Sequence, residues 1–571
     1  MYKNCYVTRG DEWNHYNIHL WTDEGYSLEE FQNYGYIDCH HEQATHQGLK
    51  GETLKKIFNW NREDPRMHYS DHTRGNIHTK FLIDKYGDDD TPSVTHRELF
   101  FDIEIEMGGA LTPEYIKSAP KPVTSIAWWD RQVDEWKIVI VDKEGKLEHT
   151  FDNQGREVIP VSRETDLLDK FVSMMEEVQP DILVGYNSDY FDIPYLYYRI
   201  KNTMGKRTAS RMSPINIIEE RHWSEDMPIR IAGVASLDYI RLHKKYSFKD
   251  EPSYKLDSLG EKYVDQKKIE YEGSLDRLFE EDKEKFIEYN FVDVLILKKL
   301  DEKFKYIELT KNLAHKGKIL YEEVYQSSRI HDGAISSWLI SQNIVPPNKE
   351  LNPITKKNYA GGYLFCPKTG IYNYMFDEDL TSLYPSIIMS LNIGKETYIG
   401  RVLDSFDDRN SRLGLNDLES RVATDPESIL PLENTARKTQ NTRVSDIIDK
   451  IKKHDLTITA NGVMFRTDKK SVLSVILSKW FDERVKYKTA MKKAYQSGDK
   501  KEGEQNHLKQ YTMKILLNSL YGATALPSFR YGSVILSEAI TLSGQRIIQE
   551  SALFANTHMN KVLRNELKLE L

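Results

Sequence analysis

The sequence predicts a multidomain chain of mixed α/β and α+β class. Three observations lead there. Its 571 residues suffice for three or four domains at about 150 residues each. From about 99 to 310 the hydrophobic pattern runs strand, strand, strand, helix, strand, helix, the order of an α/β domain. Toward the end, 474–498 and 505–521 read as helices around the polar turn Gln496-Ser-Gly-Asp-Lys500, which makes a helical hairpin.

Composition narrows the class. Hydrophobic residues make up 39%, charged residues 29%, and mean hydropathy is -0.61. With no long apolar run, an integral membrane protein is excluded and no membrane partner is expected. The 20 Phe and 34 Tyr exclude a largely disordered chain. Met1-Tyr-Lys-Asn-Cys5 precedes no secretory apolar region. Three cysteines, Cys5, Cys39 and Cys366, are too few for a disulfide framework, so the cytoplasm is the expected location. Cys39-His40-His41 has no second Cys/His pair at ligand spacing, and no zinc site is expected. The net charge of -9 divides unevenly: residues 311–571 carry +8 and residues 1–310 carry -17. Within 461–530, 14 Lys/Arg face 6 Asp/Glu. Such a segment suits contact with a polyanion, although on charge alone a solvated face explains it equally well.

The elements follow in order. Residues 1–98 are polar and rich in His, Asn and Asp; Gly87-Asp-Asp-Asp-Thr-Pro92 reads as a loop and boundary. Arg97-Glu-Leu-Phe-Phe-Asp-Ile-Glu-Ile105 reads as a buried strand with acids at alternate positions. Segments 123–127, 136–141 and 181–186 are further strands, 164–178 is an amphipathic helix, and 281–305 is a long helix with 3/4 apolar spacing. Residues 403–462 have few strand signals and read as a variable excursion without a functional account.

The first half concentrates carboxylates. Asp102 and Glu104, two apart on a strand, leave the same face. Two acids on one face of an apolar strand repel, and cations are the natural way to neutralise them. Taken alone, the pair reads as solvated acids at a strand end. Gly185-Tyr-Asn-Ser-Asp-Tyr-Phe-Asp192 sets Asn187 and Asp192 at the carboxyl end of the next strand, where α/β sites lie. Tyr289 and Asp293, four apart, share one face of the long helix. Singly they read as a core Tyr and a surface acid. Four acids suit a pair of Mg²⁺ or Mn²⁺ ions. Ions about 3.5–4 Å apart clamp the two oxygens of an in-line displacement at phosphorus. A phenol can orient the attacking water. The chemistry these residues fit is hydrolysis of a phosphodiester.

In that order, Phe101-Asp-Ile-Glu104, Asn187-x-x-x-Phe-Asp192 and Tyr289-x-x-x-Asp293 resemble the three exonuclease motifs of family B DNA polymerases. The resemblance implies an RNase H-like 3′→5′ proofreading exonuclease domain. In it Asp102, Glu104, Asp192 and Asp293 bind two Mg²⁺ or Mn²⁺ ions and Tyr289 positions the water. Asp377-Glu-Asp-Leu-Thr-Ser-Leu-Tyr-Pro-Ser-Ile-Ile388 resembles the family's first polymerase motif. By that likeness Asp379 binds metal, with Asp377 as the alternative register. Leu380 offers its carbonyl to the metal carried by the nucleotide, and Tyr384 packs under the sugar and excludes a 2′-hydroxyl. Lys514-Ile-Leu-Leu-Asn-Ser-Leu-Tyr-Gly522 matches the family's Lys-x-x-x-Asn-Ser-x-Tyr-Gly. Arg484, Lys488 and Lys514 then hold the dNTP triphosphate, while Asn518 and Tyr521 line the nascent base pair. Cations from two facing helices are what a triphosphate requires. Tyr359-Ala-Gly-Gly362 resembles the loop between the two activities, whose glycines admit close approach to template phosphate.

The resemblance covers about 97–545 and implies an N-terminal domain over 1–98, an exonuclease domain over 99–310, and a partial polymerase domain over 311–571. The palm would take about 360–470 and 530–571, and the helical-hairpin fingers about 471–529. The family's later motif, Tyr-Gly-Asp-Thr-Asp-Ser, is not in this sequence, and the thumb that would follow is expected to be absent. Asp379 alone is a poor ligand set for two ions per active site, so negligible polymerisation is expected of the chain by itself. Either a second polypeptide supplies the missing palm motif and thumb, as in a split polymerase, or the sequence is a truncated fragment; the first is favoured. The wording of the 379–388 motif is closest to tailed phages, which would make the location the host cytoplasm. Only 30 residues separate Arg484 from Lys514, short for those phages. Primer-template DNA is the implied partner, with a sliding clamp as a further candidate. Two other readings compete: a stand-alone 3′→5′ exonuclease with a DNA-binding remnant, and a non-catalytic scaffold subunit.

Overall fold

In the computed structural model the described residues are all but 59–65, 69–73, 88, 222–223, 225–226, 248, 350–360, 366–368, 372–378, 405–412, 527 and 566–571. Cys366, Tyr359 and Asp377 therefore lie outside them. The chain forms two compact units. One is built mainly from Met1–Tyr34 and Asp71–Gln326, the other mainly from Gly35–Ile57 and Ser327–Leu571.

The first unit begins with an antiparallel meander of strands Tyr2–Arg9, His15–Thr22 and Gly25–Gln32. Its centre is a seven-stranded mixed sheet. Five of its strands, taken in chain order as one to five, lie in the order 3-2-1-4-5: Glu135–Val141, Val123–Asp130, Glu98–Ile105, Ile182–Gly185, Ala235–Asp238. The first three pair antiparallel, and the last two join parallel to Glu98–Ile105. Along Glu98–Ile105 the side chains alternate between the two faces of the sheet. Leu99, Phe101 and Ile103 enter a hydrophobic cluster with Leu167, Leu168 and Phe171 of helix Glu164–Val178 and Tyr195 and Leu196 of helix Asp192–Met204. Helix Lys283–Phe304 packs over the other face, against Glu98–Ile105 and Val123–Asp130. Asp282 starts that helix by accepting the Lys285 N–H at 3.0 Å, and Lys305, in left-handed conformation, ends it.

The second unit contains two five-stranded sheets. In the region 403–462, expected to be a variable excursion, the described residues from Leu413 on include strands and helices. Tyr398–Val402, Ile429–Asn434, Thr439–Arg443, Thr457–Ile458 and Val463–Phe465 form one antiparallel sheet. Helices Leu415–Thr424 and Val444–Lys453 close a core of Val402, Leu418, Leu430, Val444, Ile447 and Met464. The helical hairpin is present and longer than expected, as Val472–Gln496 and Lys500–Thr524 joined at Ser497-Gly498-Asp499. At its base His331, fully buried on helix Ser327–Ser341, meets Ser519 at 3.0 Å and lies against Trp480. Helix Leu383–Leu391 packs on Val472–Gln496 and on the 32-residue helix Val534–Asn565. No helix among the described residues is long and apolar enough to cross a membrane.

Candidate functional site

The alternation that buries Phe101 and Ile103 turns Asp102 and Glu104 toward helix Lys283–Phe304. On that helix Asp293 is 1% exposed and Tyr289 is one turn before it. Asp102, Glu104 and Asp293 each offer a carboxylate oxygen, and the three lie within 4.8 Å of one another. Among the described residues this is the only such cluster of acids, histidines or cysteines. Asp293 Oδ1 is buried and has no hydrogen-bond partner among the described residues. Three hard oxygen donors and an orphaned carboxylate oxygen fit a divalent cation of the Mg²⁺ or Mn²⁺ kind. Asp192 stands beside the triad without joining it. It opens helix Asp192–Met204, is 4% exposed, and accepts the Ile103 N–H. That N–H lies beyond the end of the ladder to Ile182–Gly185, whose last pair is Val184 with Phe100.

The acids pay for their crowding. Burial raises Asp102 well above the usual carboxylate range, and repulsion from Asp293, Glu104 and Asp192 adds to it. Burial, then Asp293, pushes Glu104 up to about 8; burial also pushes Asp192 up to about 7. Asp293 is raised by burial and pulled back by Lys268. Sequence reasoning missed Lys268. Its Nζ lies 2.5 Å from Asp293 Oδ2 and 3.2 Å from the Tyr289 hydroxyl. It follows helix Leu256–Val264 in a stretch pinned by Asp257, whose Oδ1 accepts the Lys268 N–H at 2.8 Å. No motif marks it, and the only signal was that four acids need a cation nearby. Asn290, between Tyr289 and Asp293, donates from Nδ2 to Asp102 Oδ2 at 2.8 Å. Asn187 has an exposed side chain and a left-handed backbone (φ 63°), held by its N–H on Asp238 at 2.9 Å.

In the second unit, Tyr384 lies in the first turn of Leu383–Leu391 and its ring centroid is 4.3 Å from that of Tyr521. Gly544 of helix Val534–Asn565 allows this. A Cβ there would stand 3.0 Å from the Tyr384 ring. Gln545 donates to the Gly361 carbonyl at 2.6 Å, and a Cβ on Gly362 would stand 3.4 Å from the Tyr384 hydroxyl. Lys514, Asn518 and Tyr521 follow one face of Lys500–Thr524, with Asn518 exposed. On the partner helix Lys488 is exposed, and Arg484 Nε is buried with no partner among the described residues. An orphaned guanidinium N–H suits a phosphate oxygen. Asp379 is exposed and Leu380 half-buried, just before the helix. Asp379 belongs to no acid cluster among the described residues.

A mixed sheet carrying a carboxylate triad, with a second unit presenting a tyrosine pair and a cationic hairpin, describes a class of nucleic-acid enzyme. The family of DNA polymerase family B, exonuclease domain, matches residues 56–259, and that of DNA polymerase family B matches 321–571. The chain belongs to the family B DNA polymerases. It is 30% identical over 493 residues to the DNA-directed DNA polymerase of Escherichia phage RB69, across 76% of this chain and 50% of that one. Identity to the DNA-directed DNA polymerase of Enterobacteria phage T4 is 27% over 457 residues, 71% of this chain and 47% of that one. A DNA polymerase of Thermococcus litoralis is 25% identical over 249 residues, 42% of this chain and 14% of that one. The chain thus spans about half the length of its phage relatives.

Proposed function

We propose that this chain is the N-terminal portion of a DNA-directed DNA polymerase, that it carries a working 3′→5′ exonuclease site, and that it needs a second polypeptide for polymerisation. The observation that carries the exonuclease reading is the convergence of Asp102, Glu104 and Asp293, from a strand and a helix about 190 residues apart, within 4.8 Å. The 3-2-1-4-5 strand order supports an RNase H-like domain around it.

Asp102, Glu104, Asp192 and Asp293 would hold two Mg²⁺ or Mn²⁺ ions. When bound, such ions make a water more acidic and stabilise charge on the leaving oxygen. The rest falls to the chain's own groups. Lys268 donates to the Tyr289 oxygen, so the Tyr289 proton stays available to orient the attacking water. In the metal-free chain burial pulls the Lys268 pKa down, but Asp293 and Asp102 outweigh it and hold it above normal, which makes Lys268 a counter-charge to the acids. Water attacks the terminal phosphorus, the bond to the preceding 3′ oxygen breaks, and a nucleoside monophosphate leaves.

For polymerisation, Asp379 and the Leu380 carbonyl would meet the metal carried by a dNTP. Arg484, Lys488 and Lys514 would hold the triphosphate, Tyr384 would sit under the sugar, and Asn518 and Tyr521 beside the base pair. The orphaned Arg484 Nε is the main support for that assignment. The primer-template is the proposed substrate of both sites, and a sliding clamp remains a candidate partner.

The test is a 5′-labelled primer-template incubated with Mg²⁺ and dNTPs, with and without a polypeptide supplying Tyr-Gly-Asp-Thr-Asp-Ser and a thumb. Degradation alone, converted to extension by the second polypeptide, is expected. Unaided extension by the purified chain overturns the two-chain reading. Asp293→Ala should abolish degradation, and unchanged activity in that variant removes the exonuclease assignment.

A further inference from the structure

Asn290 is fully buried and has a fixed orientation. Its Oδ1 accepts the Ser125 hydroxyl at 2.8 Å while its Nδ2 donates to Asp102 Oδ2 at 2.8 Å. Ser125 is also fully buried, and it stands directly opposite Glu104 in the antiparallel ladder, so both side chains share the face of the acids. Ala127 is the residue opposite Asp102. Its methyl leaves the space above that pair to the side chain arriving from the helix. Asn290 lies three residues before Asp293 and so shares that helix's acid-bearing face. The relay Ser125–Asn290–Asp102 thus links two neighbouring strands and the helix through one amide.

The relay has a direction. Reversing the amide would set Oδ1 against the ionised Asp102 carboxylate, which can only accept, whereas the Ser125 hydroxyl can turn to donate or accept, so Asp102 sets the direction. With N–H presented to Asp102, the amide leaves Oδ1 to accept from Ser125. A donor on one carboxylate oxygen restrains rotation of the group and favours its ionised form. Partners of this kind behind a ligating carboxylate control both its aim and its charge.

We propose that Asn290, locked by Ser125, is a positioning residue that aims Asp102 into the cation site. This rests on the exonuclease reading above and adds to it a residue that touches neither substrate nor cation.

The experiment uses the full chain stripped of metal and titrated with Mn²⁺ by calorimetry, beside degradation of single-stranded DNA. Asn290→Leu keeps the volume and removes both bonds. It should weaken Mn²⁺ binding about 10-fold or more, and lower kcat with KM for DNA unchanged. Ser125→Ala leaves the amide in place but unlocked, and should weaken Mn²⁺ binding by a smaller factor in the same direction. Equal Mn²⁺ affinity in wild type and both variants overturns the assignment. So does a Ser125→Ala chain that binds Mn²⁺ like wild type when Asn290→Leu does not fold, because Asn290 is then structural only. Wild type and Asp293→Ala, compared in parallel, judge the nuclease reading separately: a wild-type chain that binds Mn²⁺ but degrades nothing, or an Asp293→Ala chain that degrades like wild type, refutes that reading, while the calorimetric comparison still decides the role of Asn290.

Discussion

Lys268 and Asp293 form an ion pair 2.5 Å long at the edge of the acid cluster, with the Asp293 side chain buried and the Lys268 side chain 31% exposed. The ammonium offsets part of the repulsion among the carboxylates and also reaches the Tyr289 hydroxyl. Lys268→Met removes both interactions. Degradation of single-stranded DNA should slow about 10- to 100-fold. A rate within twofold of wild type would show that Lys268 is a bystander.

Four acids held close together should make the metal-free chain less stable than the loaded one. Ligand that binds only the folded state stabilises by about 2.7 kcal/mol at 100 times its Kd. Mn²⁺ should therefore raise the melting temperature, and EDTA should reverse the change. Asp102→Ala with Glu104→Ala should abolish the response; a double variant that still responds would place the cation elsewhere.

Arg484→Ala separates the two sites. In the proposed two-chain assembly, loss of a charge-assisted bond costs about 1.5–3 kcal/mol, which is about 10- to 150-fold in apparent dNTP affinity. Degradation by the same variant should match wild type. Equal loss of both activities would contradict the division.

Tyr384→Ala removes the ring that packs on Tyr521, where the sugar is proposed to sit. In the proposed two-chain assembly, discrimination against ribonucleotides should fall, by roughly 10- to 200-fold if steric exclusion acts alone. Competition between a dNTP and the matching ribonucleotide measures it, and unchanged selectivity would clear Tyr384 of that role.

Asp332 provides a pH test. Its carboxylate lies 2.7 Å from Arg530 Nε, and Arg530 is 1% exposed. Burial alone would raise Asp332; Arg530 and Lys349 outweigh it and bring it down to about 2. A depressed folded pKa gives stability that is present above the unfolded value and is lost as pH falls toward 2. Asp332→Ala should cost about 3–5 kcal/mol at pH 7 by removing the carboxylate that offsets the buried guanidinium charge, and the gap to wild type should narrow at pH 2–3. Urea melts at the two pH values check it; an equal gap at both would refute the charge argument.

The sequence was legible where period and spacing carry the information. Glu164–Val178 has a strong apolar period, Glu98–Ile105 is an apolar run carrying acids at alternate positions, and the hairpin helices flank a polar, Gly-containing turn; their positions agree with the pattern to within a few residues. Asp102 with Glu104, and Tyr289 with Asp293, were legible as pairs because each shares a face by local geometry. Thr439–Arg443 was not legible. Thr-Gln-Asn-Thr-Arg has no apolar alternation, and its ladder with Ile429–Asn434 makes it a strand. The four-residue strand Ala235–Asp238 exists for the same reason, as a parallel neighbour of Ile182–Gly185. Lys268 was hidden because it reaches Asp293 across 25 residues of chain with no fixed spacing. The position of Asp192 beside the triad depends on the Ile103 N–H, which no spacing rule reveals.

The pairing of Leu99 with Asp130 through Glu104 with Ser125 carries a last consequence. Side chains alternate, so sliding one strand by a single residue would exchange its two faces. Asp102 and Glu104 would then point at Leu167 and Phe171, while Phe101 and Ile103 would replace them under the helix. A misassembled sheet would bury naked charge and scatter the carboxylate triad together.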